Sequence, residues 1–334
     1  MIFCVTISAR MNAEPSANGT PASRALLQHF QAQRPLRAGS LIITIFGDAI
    51  APRGGAVTLG SLIRLAAPFG LAERTVRTAV ARLAREGWLA GRRAGRRSEY
   101  RLTRSGAERF VQATRRIYGP NPSSWSGRWT LVLLPAVTGP RGAVREALRW
   151  LGFGELDTAL FAHPGCTLME ARAALRNVPG TRGALLFHSS AAGLAEDRRL
   201  VARGWDLGNL ARRYRRFVAR FGALERRFEA QPLEPETAFI VRTLLIHEYR
   251  KIHLEDPLLP PALLPADWVG AAAYEVCRRL YARVFAAAEG YLTERARQLG
   301  RPLPVSSAAQ ERFGGLRYER RPRVSTNLCM KRLA

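Results

Sequence analysis

Lysine is nearly missing from this chain of 334 residues: Lys251 and Lys331 are the only two, and arginine supplies the rest of the 52 basic residues that face 26 acids. A base-composition bias accounts for the choice of arginine, but not for the surplus of +26, which calls for an acidic partner. Cysteine is scarce as well. Cys4, Cys166, Cys277 and Cys329 stand far apart with no CxxC pair, which excludes a disulfide framework and fits a reducing cytoplasm. Long apolar runs are missing too: none approaches the roughly 18 residues that span a membrane. The opening IFCVTI is too short for a signal-peptide core and has no basic residue before it. What the chain does have is 47% apolar content, enough for two or three domains with hydrophobic cores. It is therefore not a disordered basic tail.

The positive charge is uneven. Residues 1–70, 71–128, 129–205 and 206–334 carry +4, +10, +3 and +9, so its density peaks in the second stretch. Within it, residues 71–104 (LAERTVRTAVARLAREGWLAGRRAGRRSEYRLTR) hold ten arginines against Glu73, Glu86 and Glu99. At about 100° per residue, Val76, Ala79, Val80 and Leu83 share one side of a helix, and Arg74, Arg77, Thr78, Ala81 and Arg85 occupy the other. Gly87 supplies the stop, Trp88 and Leu89 begin an extended segment, residues 91–97 (GRRAGRR) form a loop, and Tyr100 and Leu102 alternate on a return strand. A recognition helix followed by a basic hairpin is a winged helix-turn-helix. A solvated helix face usually mixes signs, and this one does not, so DNA contact is the expected role.

Upstream residues complete the motif. Ser40 is the expected cap of a helix over 41–50, Thr58 that of a helix ending before Pro68, and Gly70 turns the chain into the recognition helix. In such an arrangement the third helix enters the major groove with its N-terminal turns nearest the bases. Arg74, Arg77 and Thr78 are the expected readers of base edges and adjacent phosphates, and Thr75 beside them is a further expected DNA contact. Arg82 and Arg85, with the wing arginines Arg92, Arg93, Arg96 and Arg97, are the expected grips on phosphate or a narrow minor groove.

The remainder divides as follows. Residues 1–36, Ala/Ser/Asn/Gly/Pro-rich over 12–24, read as a disordered N-terminal extension, in which Met11 is an alternative start to Met1. The DNA-binding domain covers 37–118 and ends in a helix over 105–118; 119–127 (GPNPSSWSG) is a linker. Residues 119–204 read as a βαββαβ unit, economically arranged as a ferredoxin-like sandwich. Residues 205–300 form a helical domain for effector binding and dimerisation: Asp206 caps a helix through Phe221, 236–252 forms another, and Asp267 caps a long helix to about 299, a candidate dimer surface. Residues 301–334 read as an irregular tail. The fold class is thus α+β multidomain.

No catalytic constellation emerges. His247, Glu248 and His253 superficially match HExxH, but the histidines fall about 240° apart on a helix, so core or capping roles are favoured over metal. Gly152, Gly154 and Gly165 make no phosphate loop, and GxSxG is absent. Asp256 reads as a helix cap, and Trp205, Tyr214, Trp268 and Tyr281 as core. Arg212, Arg213, Arg215 and Arg216 could hold an anion but read first as solvated helix residues.

Five separated stretches, SLIITIFGDAIAPRGGAV (40–57), RTVRTAVARLAREGWL (74–89), WDL (205–207), HEYRK (247–251) and DPLLPPALLPADWVG (256–270), together resemble the PaaX family of transcriptional repressors. The resemblance covers about residues 37–300. It implies a non-enzymatic homodimeric repressor of an aromatic, typically phenylacetate, catabolic operon, with phenylacetyl-coenzyme A as the effector that releases DNA and with no cofactor. It also implies a middle domain similar to the CRISPR adaptation nucleases. That likeness keeps a non-regulatory alternative open, a metal-dependent nuclease or an architectural DNA binder. Where those nucleases carry a metal-binding Asp, however, this chain reads Leu133, Leu134 and Pro135.

Overall fold

Apolar spacing sets the helices of this chain, and Thr, Gly and Pro set their ends. The computed structural model describes residues 21–33, 38–121, 124–134, 142–228, 233–299, 301–304 and 306–316. Helix α1 (Pro21–Ala32) is followed by α2 (Ala38–Ile45), which widens into a π-helical turn (Phe46–Ile50) and then tightens into a 3-10 turn (Ala51–Arg53). Strand β1 (Ala56–Thr58), α3 (Leu59–Ala66), α4 (Glu73–Arg85), the hairpin β2 (Leu89–Ala94) and β3 (Arg97–Leu102), and α5 (Arg104–Tyr118) complete the first third. Thr58 caps α3 through the Ser61 N–H, and Thr103 caps α5 through the Gly106 N–H. The three strands form an antiparallel sheet in the order β1-β3-β2.

The middle third runs β4 (Trp129–Leu133), α6 (Gly142–Trp150), β5 (Gly154–Asp157), β6 (Leu160–His163), α7 (Leu168–Leu175), β7 (Leu185–Ser189) and α8 (Leu194–Gly204). Its antiparallel sheet has the order β5-β6-β4-β7. The period-2 alternation of β4 sorts its side chains into two layers. Val132 joins Val144 and Leu148 of α6 and Ala171 and Leu175 of α7 on one face. Trp129 joins Val201 of α8 and Leu259 and Leu263 of the Pro-rich segment on the other. The final third is α9 (Leu207–Phe228), α10 (Pro235–His253), α11 (Gly270–Arg295) and a short hairpin of β8 (Arg297–Gln298) and β9 (Arg301–Pro302). The class is α+β.

The structure departs from the sequence reading at several places. Residues 1–20 and 34–37 lie outside the described residues, but 21–32 form a helix, not a disordered lead-in. Leu26, Leu27 and Phe30 make a helical stripe, and Phe30 packs edge-on against Phe69 and His247. Ser40 lies inside α2 and caps nothing; its hydroxyl and carbonyl accept from Arg250. Asp267 does not cap α11 but pairs with Arg215, because the helix starts three residues later at Gly270, over which Trp268 folds. Asp256 braces the turn after α10 by accepting from the Tyr214 hydroxyl and the Leu258 N–H. Helix α8 had no counterpart in the reading.

The largest departure concerns domain independence. Buried side chains of 37–118 and of 205–300 form one continuous cluster, from Leu26 through Leu41, Val80 and Tyr214 to Phe313. Among the described residues the central sheet has a separate core on its α6–α7 face, while its other face shares a core with Leu259 and Leu263 of the Pro-rich segment. The tail is irregular but packed: Leu303, Ala309 and Phe313 are buried, and 317–334 lie outside the described residues. Helix α11 spends its apolar side (Val276, Leu280, Val284, Ala288) inside this cluster, so it is not a free dimer face.

Candidate nucleic-acid interface

Helix α4 turns Val76, Ala79, Val80 and Leu83 inward and leaves Arg74, Arg77, Thr78, Arg82 and Arg85 exposed, with Thr75 half-buried. Its end is a Schellman motif: Trp88 N–H bonds Leu83 O at 2.9 Å and Gly87 N–H bonds Ala84 O at 3.1 Å, with Gly87 at φ 74°. Arg77 donates to Glu73 one turn back at 2.6 and 2.8 Å, an exposed pair that costs little to exchange for another anion. Thr78 donates its hydroxyl hydrogen to Arg74 O at 2.9 Å. Arg82 behaves differently from its neighbours. It lies over Gly39 of α2, where a Cβ would come within 2.5 Å of its Nη2, and pairs with Glu86 at 3.4 Å.

The basic hairpin is longer than the sequence suggested. Pairing continues to Ala94 opposite Arg97, so the turn is only Gly95 and Arg96, with Gly95 at φ 57°. Arg92, Arg93 and Arg97 therefore stand on strands, not in a loop, and all four wing arginines are exposed. Glu99, the one acid of the hairpin, is buried; it accepts from Leu299 N–H at 2.9 Å and pairs with Arg101 at 3.4 Å.

Beside α4 and the hairpin lies a cleft of about 600 Å³ lined by Arg64, Arg77, Arg96, Arg97, Arg297 and Arg301 and, among the described residues, by no acidic one. Arg64 sits on the outward side of α3 and was open to discovery by the same rotation that sorted α4. Arg297 and Arg301 were not, since only folding brings β8–β9 to the hairpin. Arg64 donates to Ser61 Oγ at 2.9 Å and to Arg295 O at 3.3 Å; the Arg297 N–H also donates to Ser61 Oγ, at 2.9 Å.

Beneath α2 lies a buried charge network. Asp48 accepts from Tyr118 (2.7 Å), Tyr281 (2.8 Å), Arg242 (2.7 Å) and Arg312 (2.5 Å), while Arg242 and Arg53 both pair with Glu289. Burial opposes ionisation of Asp48, but the Arg242 and Arg312 guanidinium groups outweigh it and hold its carboxyl below the usual range. His247 bonds Thr44 at 3.0 Å. His253 bonds Arg116 O through Nε2 at 2.9 Å, which leaves Nδ1 to accept from Tyr249 at 3.1 Å. The two histidines thus point to separate partners, and among the described residues no three His, Cys, Asp or Glu side chains converge as a metal site would need.

A second cleft, about 1080 Å³, opens between α8, the start of α9, the Pro-rich segment and the start of α11. Trp205, Trp268, Leu263, Leu264, Arg198 and Arg203 are among its lining residues. Trp205 lies directly on Gly154, where any Cβ would come within 2.6 Å of the ring, and donates to Gly152 O at 3.1 Å. Asn121 Oδ1 is buried there without a hydrogen-bond partner among the described residues. Tyr214 and Tyr281 are core, as expected, whereas Trp205 and Trp268 are half-buried cleft walls. Arg213 and Arg215 pair with Glu255 and Asp267 and do not face this cleft.

Three family profiles match along the chain: PaaX-like protein over residues 37–106, PaaX protein central Cas2-like domain over 122–201, and PaaX-like protein C-terminal domain over 205–294. The Transcriptional repressor PaaX of Escherichia coli (strain K12) is 36% identical over 300 residues, covering 88% of this chain and 95% of its own. A solved structure, uncharacterized protein Rv0674 from Mycobacterium tuberculosis, aligns with 69% of this chain and 91% of its own at 24% identity and a TM-score of 0.43. With this extent of likeness to a curated relative and matches on all three of its parts, the chain belongs to the PaaX family.

Proposed function

We propose that this protein is a DNA-binding transcriptional repressor, not an enzyme, acting in the cytoplasm on an operon of aromatic, specifically phenylacetate, catabolism. The observation that carries the proposal is the outward arginine face of α4 set beside the arginine hairpin, in a chain 36% identical to a transcriptional repressor. In this reading α2, α3, α4 and the hairpin are a winged helix-turn-helix, and the order β5-β6-β4-β7 is that of a ferredoxin-like sandwich. The functional units are 37–118, 119–204 and 205–300, the first and last fused through their common core. Arg74, Thr75, Arg77 and Thr78 read base edges and nearby phosphates in the major groove. Arg82, Arg85, Arg92, Arg93, Arg96 and Arg97 grip the backbone. The protein works as a homodimer on two half-sites; exposed Leu133, Leu185 and Phe187 on the central sheet are apolar side chains that a second copy could cover.

The effector is an aryl-acetyl-coenzyme A, taken up by the 1080 Å³ cleft. Its tryptophan and leucine walls suit an aryl group, and Arg198 and Arg203 suit phosphates. Release of DNA requires that the thioester bind the DNA-incompetent state better. The test is fluorescence anisotropy on the gene's own upstream DNA. Release by phenylacetyl-coenzyme A, but not by free coenzyme A or phenylacetate, is expected. Failure to bind that DNA more tightly than random duplex would sink the repressor reading, and indifference to the thioester would sink the effector.

A further inference from the structure

We propose that the C-terminal hairpin β8–β9 is itself part of the DNA-contacting surface: Arg297 and Arg301, with Arg64, complete a cleft that seats backbone phosphate beside Arg77, Arg96 and Arg97. This rests on the DNA-binding reading above and extends it to residues outside the helix-turn-helix unit. Six guanidinium groups line a space of about 600 Å³ that no carboxylate of the described residues enters. Uncompensated like charges repel, so such an arrangement needs something to hold it. Here the holding groups are neutral acceptors: Ser61 Oγ and Arg295 O for Arg64, Thr293 O at 2.8 Å for Arg297, and Gln298 Oε1 at 3.3 Å for Arg301. Of the six, Arg77 alone has an acid partner among the described residues, the exchangeable Glu73. The positive charge is therefore left for a ligand, and Leu59 and Gly60 at the N-terminal end of α3 add the positive pole of a helix dipole.

The chemistry is that of phosphate, and its place favours duplex backbone over a free anion. The cleft is continuous with α4 through Arg77 and with the hairpin through Arg96 and Arg97, so a duplex lying on both carries one strand along it. A hydrogen bond from their turn fixes the added arginines to the hairpin: Leu299 N–H donates to the buried Glu99 carboxylate of β3. They also follow directly on α11, whose first residues, Gly270 and Ala271, line the other cleft. One helix of 26 residues, about 39 Å long at 1.5 Å per residue, thus connects the two.

The experiment is anisotropy with the full chain carrying Arg297→Gln and Arg301→Gln, on upstream and random duplexes over a range of salt. Affinity for both duplexes should fall about tenfold, and the slope of log K against log salt should shrink by about 1.8, about 0.9 per lost phosphate contact. The Arg297→Lys, Arg301→Lys protein should keep the wild-type slope, which a merely structural role would not predict. Unchanged affinity and slope in the Gln protein overturn the proposal. So does loss of inorganic phosphate binding with DNA binding intact, which would make this a small-anion site. Failure of the wild type to bind any duplex is a different result and removes the underlying reading.

Discussion

Arg77 and Thr78 lie one helical step apart on α4, yet their roles should separate in measurement. In the proposed interface Thr78→Ala or Arg77→Ala lowers the preference for operator over random DNA by about 1–3 kcal/mol, whereas Arg96→Ala weakens both duplexes and flattens the salt slope. Equal losses on both duplexes in all three proteins would refute this division. Asp48 is a residue of the opposite kind, with no access to DNA. Removing its carboxylate in Asp48→Ala leaves Arg312 buried with no acidic partner among the described residues, and leaves Arg242 only the Glu289 that it shares with Arg53. A loss of about 3–5 kcal/mol is expected, read as a lower urea midpoint at unchanged slope; a midpoint within error of wild type would show that the network contributes nothing net. The inward and outward faces of α4 were legible in the sequence because helical period is a local property. That Arg82 leans over Gly39 was not, because nothing between the two residues encodes their meeting.

Among the elements, helix ends were read more accurately where a local group makes them: Thr58 on α3, Asp206 on α9 and Gly87 after α4 all act as expected. Ser40 and Asp267 have the same chemistry, yet more distant guanidinium groups claim them. The hairpin shows the same limit. Its glycines suggested a seven-residue loop, but pairing of β2 with β3 continues to Ala94 opposite Arg97 and leaves a two-residue turn. Glu99 anchors that ladder to β8–β9. In Glu99→Ala the hairpin stays paired through its backbone but loses its hold on Leu299, so DNA affinity should fall while the helical circular dichroism signal stays. Wild-type affinity would show that the anchor plays no part in binding.

At the scale of the molecule, the shared core makes residues 38–118 dependent on the helices that follow the central sheet. A fragment of residues 37–118 exposes the side of α2 that α10 covers, and loses Arg242, Tyr281 and Arg312 around Asp48. It should fail to show a cooperative thermal transition; a sharp transition in the isolated fragment would contradict this. Acid should act on the whole chain. Burial, assisted by Arg116, lowers His163 to about 4, and burial lowers His253 to about 4 as well. Both must be neutral when folded, so their contribution is complete above the unfolded value near 6.5 and is lost as pH falls from there to about 4. At most about 3 kcal/mol each is at stake. Tm should decline across that window, and a Tm flat down to pH 4 would rule it out.

Periodicity, caps and charge density, all properties of neighbouring residues, were enough to mark an amphipathic helix with an arginine-rich outer face, a basic hairpin and a βαββαβ unit from the amino-acid order alone. The motifs of the family resemblance were visible there too, but not their purpose. Ser40 and Thr44 meet Arg250, Thr44 meets His247, and Asp48 meets Arg242, so SLIITIFGDAI and HEYRK are two halves of one contact between α2 and α10. Tertiary structure alone decided that the first and last of three expected domains share one core, that the tail is packed, and that Arg297 and Arg301 stand beside the hairpin. The reason is physical: hydrophobic burial and buried ion pairs are satisfied by whichever groups the chain brings within reach, and sequence distance does not enter that choice.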